Sequence, residues 1–205
     1  MKLIKTIPAL AVVFILTTAF VSPDRPASVY TVDAEQSTVQ WVGKKVTGQH
    51  NGSIAIQAGT LEITDGQLTG GQFSIDMGTI DTEDLQGEDK AKLEGHLKSD
   101  DFFGVEAYPT AQLVITQVTP EEDNTYTITG DLTIKGKTNP IEFPATVNMQ
   151  DGQVTAEADI TVDRSKFDVR YGSDSFFDDL GDKVIYDDFE LAVSLIATSE
   201  ASVSK

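Results

Sequence analysis

Apolar and polar side chains alternate along most of the chain beyond Tyr30. In "STVQWVG", Val39 and Trp41 alternate with Thr38 and Gln40. The same period recurs in "TLEITDGQL", "GQFSIDMG", "AQLVITQV", "TYTITGDLTIKG", "NPIEFPATVNM", "GQVTAEADITV" and "DFELAVSLIA". A period of two places alternate side chains on opposite faces of a strand, so it predicts strands with one buried face.

Turn signals separate these predicted strands at short intervals. Examples are Asp65-Gly66, Asn139-Pro140 and Asp151-Gly152, and such spacing favours antiparallel meanders over parallel βαβ units. Roughly eight to ten strands in about 170 residues must hide their edges, either in a sandwich or by closing into a barrel. A barrel of about eight strands has room for one ligand.

One segment interrupts the two-residue period. "TEDLQGEDKAKLEGHLKSDDFFGVEAYP" spaces Leu93 and Leu97 four residues apart among charged residues, which predicts a short amphipathic helix. Ser99 or Asp100 can cap a further turn that carries two phenylalanines, and Pro109 ends any helix. A helical insertion in an all-β chain is expected to cover a sheet edge or one end of a barrel.

The N-terminus has the pattern of an export signal. Lys2 and Lys5 precede an apolar run over residues 7–21, which is shorter than the roughly 20 residues that a membrane-spanning helix needs. We therefore predict a signal peptide over residues 1–22; an uncleaved membrane anchor is the alternative. The chain contains no cysteine, which excludes disulfide bonds and a cysteine-linked lipid anchor. The predicted location is the periplasm or the extracellular space, in soluble form.

The charge balance excludes a role in binding nucleic acid. The chain has 33 acidic and 15 basic residues, a formal net charge of -18. Its basic residues form no cluster denser than Lys44-Lys45 or the pair Lys135 and Lys137. A protein that binds phosphate backbones needs a basic stripe, and an acidic surface repels both nucleic acid and anionic lipid.

Few residues offer catalytic or metal-binding chemistry. The histidines are His50 and His96; His96 precedes Asp100 and Asp101, so an acid/base pair in a cell-envelope enzyme is one hypothesis. A histidine that packs at a helix end is the simpler interpretation. The acidic stretches "DTEDLQGED" and "DSFFDDLGDKVIYDD" lack the spacing of a calcium-binding EF-hand loop, so we predict solvated acidic loops and no metal site.

Several blocks resemble a known family. "GHLKSDDFFGVEAYPTAQL" is similar to the central signature of the YceI-like family of secreted, lipocalin-like proteins. "YTVDAEQSTVQWVGKKVTGQHNGSIAIQAGTLEI" resembles the family's opening strands, "ITGDLTIKGKTNPIEFPATV" its central hairpin, and "DRSKFDVRYG" with "GDKVIYDDFELAVSLIA" its closing strands. The resemblance implies an all-β fold: a closed antiparallel, lipocalin-like barrel of about eight strands with a short inserted helix. It places this domain at residues 28–198, followed by a tail at 199–205.

The resemblance also implies that the barrel binds a polyisoprenoid or isoprenoid quinone lipid, without chemistry and without a cofactor other than that ligand. Trp41 and Phe73 could equally be plain core residues. The residues that we expect to contact lipid are Trp41, Phe73, Ile75, Met77, Leu97, Phe102, Phe103, Leu113, Phe143, Phe176 and Phe177. We expect a polar mouth formed by His96, Asp101 and Tyr108.

Energetics predict how such a lipid would be exchanged. An isoprenoid of about 40 carbons would gain roughly 30 kcal/mol by leaving water, more than the practical limit of about 20 kcal/mol for non-covalent binding. Escape through water would therefore be very slow, so loading requires transient contact with a membrane or an acceptor protein. A homodimer formed through an edge strand or an apolar rim is a further prediction. A structural or stress-related barrel with a filled lumen is the remaining alternative.

Overall fold

The structure, a computed structural model, describes residues 27–199. The predicted signal peptide at 1–22 and residues 200–205 of the predicted tail lie outside the described residues. Nine strands and one α-helix follow each other along the chain: β1 Ser28–Val32, β2 Thr38–Lys45, β3 Gly48–Thr64, β4 Gln67–Thr82, α1 Gly87–Lys98, β5 Thr110–Pro120, β6 Thr125–Ile134, β7 Lys137–Gln150, β8 Gln153–Asp163 and β9 Ile185–Ser199.

The strands form one closed antiparallel barrel. Each strand from β2 to β9 pairs with the next, and β9 pairs with β2, so eight strands complete the ring. β1 pairs with β3 and β9, the same two neighbours that β2 has, and therefore prolongs β2 after a break at residues 33–37. The prediction of a closed barrel of about eight strands with an inserted helix is confirmed, and the sandwich alternative is wrong.

Two of the three predicted turns are confirmed. Asp65-Gly66 and Asp151-Gly152 join consecutive strands, and all four residues have positive φ angles, as two-residue hairpin turns with this twist require. The turn predicted at Asn139-Pro140 is wrong, because both residues lie inside β7. The chain turns earlier, at Lys135 and Gly136, which also have positive φ angles.

One end of the barrel is filled by its own core. Val154 lies next to the turn between β7 and β8, pairs with Ala197 of β9, and is 0% exposed. Val32, Ile63 and Tyr126 are also buried at or near strand ends on this side. We call these five residues the plug, since side chains so tightly covered leave no passage through this end.

The inserted helix lies after β4 and beside it. α1 covers residues 87–98 and includes Leu93 and Leu97, as predicted. The ion pair between Lys90 Nζ and Asp81 Oδ1, at 2.8 Å, and the hydrogen bond from the backbone N–H of Thr82 to Glu94 Oε1, at 2.9 Å, tie the helix to β4. No helix within residues 27–199 is long and apolar enough to cross a membrane.

Candidate lipid-binding site

An apolar cavity occupies the barrel from the plug to the end that carries α1. Its volume is about 230 Å³. Its walls are hydrocarbon almost throughout, because the period of two sends alternate side chains of every strand from β2 to β9 inward. Small residues at inward positions leave much of this space, namely Gly43, Ala111, Ala145, Ala156 and Ala158.

Trp41 is held against the cavity wall by two contacts. Its indole Nε1–H donates a hydrogen bond to the backbone oxygen of Ser53 at 3.2 Å. The ring lies over Gly52, where an added Cβ would stand 2.9 Å from indole Cζ2 and 1.9 Å from the carbonyl oxygen of Asp81. Glycine at this position therefore lets β2, β3 and β4 approach closely and fixes the indole in the wall.

The turn after α1 brings two aromatic rings over the cavity. We call residues 99–105 the aromatic turn. The Ser99 hydroxyl donates to the His96 carbonyl at 2.8 Å, and the backbone N–H groups of Phe103 and Val105 donate to Leu97 and Lys98 at 3.1 and 2.9 Å. These bonds satisfy carbonyls that the helix end would otherwise leave free. Phe102 and Phe103 meet edge to face and both line the cavity.

Arg164 anchors the same end of the barrel, with its guanidinium over the ring of Phe102. It begins the 3-10 turn Arg164–Phe167 after β8, and only 2% of it is exposed. Its guanidinium donates to the carbonyls of Val169, Ile185 and Tyr186 at 2.7, 2.8 and 3.2 Å. Burial lowers the pKa of this guanidinium, and nearby carboxylates, chiefly Asp187, oppose the shift. The guanidinium thus joins two backbone segments, the loop at Val169 and the start of β9 at Ile185 and Tyr186, to the turn that carries it.

His96 packs among aromatic rings. Its ring lies 4.3 Å from that of Tyr171 and 5.7 Å from that of Phe102, measured between centroids. Its Nε2 is buried and has no hydrogen-bond partner within residues 27–199. The acid/base pair hypothesised with Asp100 or Asp101 is therefore not formed, and the ring instead links the aromatic turn to the loop that follows the 3-10 turn.

The structure brings most of the sequence-predicted lipid contacts together. These residues line one cavity: Trp41, Phe73, Ile75, Met77, Leu97, Phe102, Phe103, Leu113 and Phe143. Phe102, Phe143 and Met77 are also buried in the core. Core packing and contact with a ligand are the two interpretations of these side chains. Both involve the same inward faces of the strands.

Phe176 and Phe177 do not line the cavity, so the sequence prediction placed them wrongly. They lie on the loop between the 3-10 turn and β9, 38% and 50% exposed. The guanidinium of Arg170 covers the ring of Phe176 at 4.9 Å. Their backbone N–H groups donate to the carbonyl of Ser173 at 3.3 and 3.1 Å, so this loop bonds to itself, whereas the aromatic turn bonds to the end of α1.

The residues of the predicted polar mouth do not converge. Asp101 is exposed, and Tyr108 packs its ring against Gly136 in the turn between β6 and β7. No three histidine or carboxylate side chains among residues 27–199 converge closely enough to hold a metal ion.

Sequence reasoning missed many lining residues that its own two-residue period could have found. Ile128, Leu132, Ile141, Ala145, Val147, Ile160, Val162, Leu191, Val193 and Leu195 all line the cavity at inward positions of the later strands. Arg164 also borders the cavity and was missed. A charged residue that follows a strand does not belong to the two-residue pattern, so its position beside the cavity is visible only in the fold.

Comparison with known proteins agrees with this geometry. A family model described as the YceI-like domain matches residues 30–197. A UPF0312 protein of Pseudomonas putida is 34% identical over 154 residues, which cover 70% of this chain and 73% of that protein. A UPF0312 protein of Photorhabdus laumondii is 43% identical over 51 residues, a quarter of each chain.

Two solved structures share the fold at low identity. BcnA of Burkholderia cenocepacia is 24% identical with a TM-score of 0.65, covering 82% of this chain and 99% of its own. A polyisoprenoid binding domain from Saccharophagus degradans, implicated in plant cell wall breakdown, is 16% identical with a TM-score of 0.60, covering 83% of this chain and 98% of its own. With a family match that spans the whole barrel, the chain belongs to the YceI-like family.

Proposed function

We propose that this protein is a carrier that holds the chain of an isoprenoid lipid in its barrel and performs no chemistry on it. The observation that carries the proposal is the apolar cavity, closed by the plug at one end and overlaid by the aromatic turn at the other. A solvent-excluding apolar cavity binds hydrocarbon because it keeps that surface away from water. The fold neighbour from Saccharophagus degradans, described as a polyisoprenoid binding domain, supports this class of ligand.

The size of the cavity favours a single chain of moderate length. At roughly 10 to 15 Å³ per water-sized group, the 230 Å³ cavity holds about 15 to 23 such groups. A methylene is of similar size, so this space suits about three to five isoprene units. A longer chain requires side chains to move or part of the chain to lie outside.

The lining supports a binding role over a catalytic one. Its charged members are Glu157, which is exposed on the outer face, and Arg164, whose donors are engaged by backbone carbonyls. A reaction on the bound lipid would need an acid, base or nucleophile of the protein beside it. Among residues 27–199, the cavity also offers no free polar group to the head of the lipid, so we expect the head group to lie outside the cavity.

We further propose that the protein works after export, in soluble form, and exchanges lipid by transient contact with a membrane. The exposed rings of Tyr171, Phe176 and Phe177 follow the 3-10 turn at the barrel end that carries the aromatic turn. Aromatic side chains suit the interface between lipid and water. Asp174, Asp178, Asp179 and Asp182 share this loop, so a neutral membrane is favoured over an anionic one. The homodimer remains a prediction that a mass measurement in solution tests.

The first test is direct. Purified mature protein is extracted with organic solvent and the extract is analysed by mass spectrometry. We expect a reproducible isoprenoid lipid in stoichiometric amount. Absence of lipid, together with no uptake of geranylgeraniol from vesicles, would contradict the carrier role and favour a filled structural barrel.

The second test uses the protein's own reporter. Trp41 is the single tryptophan of the chain and lines the cavity, so its fluorescence should be quenched when retinol, an isoprenoid alcohol that absorbs its emission, enters. Gly43→Leu fills open space, since no atom lies within 4 Å of an added Cβ, and should lower retinol affinity about tenfold or more. Gly95→Leu, equally open but on the surface of α1, is the matched control and should bind as the wild type does.

A further inference from the structure

The barrel wall is split between β7 and β8. Their register runs from Gln150 opposite Gln153 to Ala145 opposite Ala158 and ends there. β7 nevertheless continues back to Lys137, and β8 continues on to Asp163. The other neighbours stay paired in this region, since β6 pairs with β7 from Lys137 to Thr146 and β9 pairs with the whole length of β8. Residues 138–144 and 159–163 therefore flank a gap, which we call the window.

Two prolines explain why the ladder ends. The two-residue turn at 135–136 makes Ile134 and Lys137 a hydrogen-bonded pair, so by alternation the backbone groups of Pro140 and Pro144 point away from β6 and towards β8. The next hydrogen-bonded pair of the ladder between β7 and β8 would join Pro144 to Asp159. Proline has no N–H to donate, and such residues are tolerated where a strand lacks a neighbour.

The 3-10 turn Arg164–Phe167 bounds the far side of the window. Asn139 Nδ2 donates a hydrogen bond to the carbonyl of Lys166 at 2.9 Å, which joins β7 to this turn. Phe167 is 1% exposed and belongs to the core, although it does not line the cavity. The window is thus closed by a short turn and one side-chain hydrogen bond. The ladder between β4 and β5 is also short, running from Gln72 opposite Val114 to Asp76 opposite Thr110, but the unpaired part of β4 begins at the turn at Asp65 and Gly66, at the end that the plug fills.

The window faces the cavity directly. Ile141 and Phe143 on β7 and Ile160 and Val162 on β8 line the cavity from the two sides of the gap. The two barrel ends offer no comparable route, because one holds the plug and the other is overlaid by the aromatic turn that Arg164 and His96 hold in place.

We propose that the lipid chain enters and leaves the cavity sideways, through the window between β7 and β8, with Lys166 and Phe167, at the far end of the 3-10 turn from the anchored Arg164, as its movable flank. This inference rests on the proposed function. Opening a paired part of the wall would break a run of ladder hydrogen bonds, whereas the window needs the Asn139 bond to part and Phe167 to shift. Pro140 and Pro144 are then positioning residues, because they prevent the hydrogen bonds that would continue the ladder between β7 and β8 across the window.

A cross-link across the window tests this route. Glu142 and Thr161 would face each other if the register of Ala145 and Ala158 continued, and both are exposed. The chain has no cysteine, so Glu142→Cys with Thr161→Cys can be bridged by a short thiol-cleavable reagent. The matched control is Thr133→Cys with Thr138→Cys, a paired position whose hydroxyls lie 2.8 Å apart. Retinol uptake is followed through Trp41 fluorescence before and after cleavage of the bridge.

We expect the bridged window variant to load about tenfold more slowly than its cleaved form, as closing a gate does, with the control unaffected. Equal rates for the bridged and cleaved window would overturn the proposal, and so would equal slowing in the control. No uptake by the wild type would instead contradict the proposed function itself. Pro144→Thr restores an N–H opposite Asp159 and should slow loading while leaving retinol affinity unchanged; unchanged loading with a demonstrated new bond would also count against the window.

Discussion

The guanidinium of Arg164 lies over the face of the Phe102 ring, with its Cζ 5.3 Å from the ring centroid. This contact joins the 3-10 turn after β8 to the aromatic turn after α1, two segments that are more than sixty residues apart along the chain. Because the same guanidinium also binds three carbonyls, one buried side chain fixes both the cover of the cavity and the start of the turn that flanks the window.

Arg164→Lys should destabilise the fold even though it keeps the charge. An ammonium group cannot match the planar set of donors that reaches Val169, Ile185 and Tyr186, and carbonyls left without partners are costly. We expect a loss of about 3 kcal/mol in the free energy of unfolding, measured by urea denaturation. Arg170→Lys is the control, since Arg170 is exposed and pairs with Asp168, and it should change stability by less than about 0.5 kcal/mol. Equal effects would show that Arg164 is not an anchor.

The strand pattern could be predicted from sequence because burial of one face imposes a period of two. Residues such as Phe73, Ile75 and Met77 could be assigned to the lumen on that basis once the barrel was recognised. Phe176 and Phe177 stand outside any such strand pattern, and the expectation that they would share the cavity with Phe102 and Phe103 was wrong. Which loop folds onto the barrel depends on contacts far apart in sequence, and local composition does not contain them.

Other features needed the register of the strands. Pro140 and Pro144 are visible in the sequence, but their meaning depends on which neighbour their backbone faces, and that follows from the turn at Lys135 and Gly136. The sequence Asn139-Pro140 predicts a turn because both residues favour turns. Tertiary pairing with β6 overrides that preference and keeps the pair in an extended strand.

Gly52→Ala should be among the most damaging small substitutions in the chain. The added methyl would collide with the carbonyl oxygen of Asp81 and with the indole of Trp41, so β3 and β4 must separate. We expect a loss of about 2 to 4 kcal/mol in stability and a shift of the Trp41 emission maximum. Gly43→Ala, on the neighbouring strand but with open space around it, should leave both almost unchanged; a comparable loss there would contradict this account.

Phe103 and Phe177 should affect different steps of lipid handling. Phe103 lines the cavity, so Phe103→Ala should weaken retinol binding by about 1 to 2 kcal/mol through lost apolar contact. Phe177 is exposed on the loop, so Phe177→Ala should preserve affinity for retinol added from ethanol and slow its transfer from neutral vesicles. Reduced affinity in Phe177→Ala would place that ring at the ligand instead, and unchanged transfer would count against the membrane contact.

Asp84 should make stability depend on pH on the acid side. Partial burial raises its pKa, but hydrogen bonds with His50 Nδ1 at 2.8 Å and from the backbone N–H of Asn51 at 3.1 Å outweigh it, so the pKa of Asp84 lies below its ordinary value of 3.8. A carboxylate whose pKa is lower in the folded state stabilises the fold above its unfolded pKa and loses that contribution as the pH falls through its folded pKa. Because the group is largely solvated, we expect Asp84→Asn to lower the free energy of unfolding by about 0.5 kcal/mol at neutral pH. This difference should shrink as the pH falls below 3.8 and through the lowered pKa of folded Asp84. Urea denaturation at neutral pH and at progressively lower pH measures this difference in the free energy of unfolding. The exposed Asp101→Asn is the control. A difference that stays constant with pH would show that the charge of Asp84 does not stabilise the junction of β3 with the end of β4.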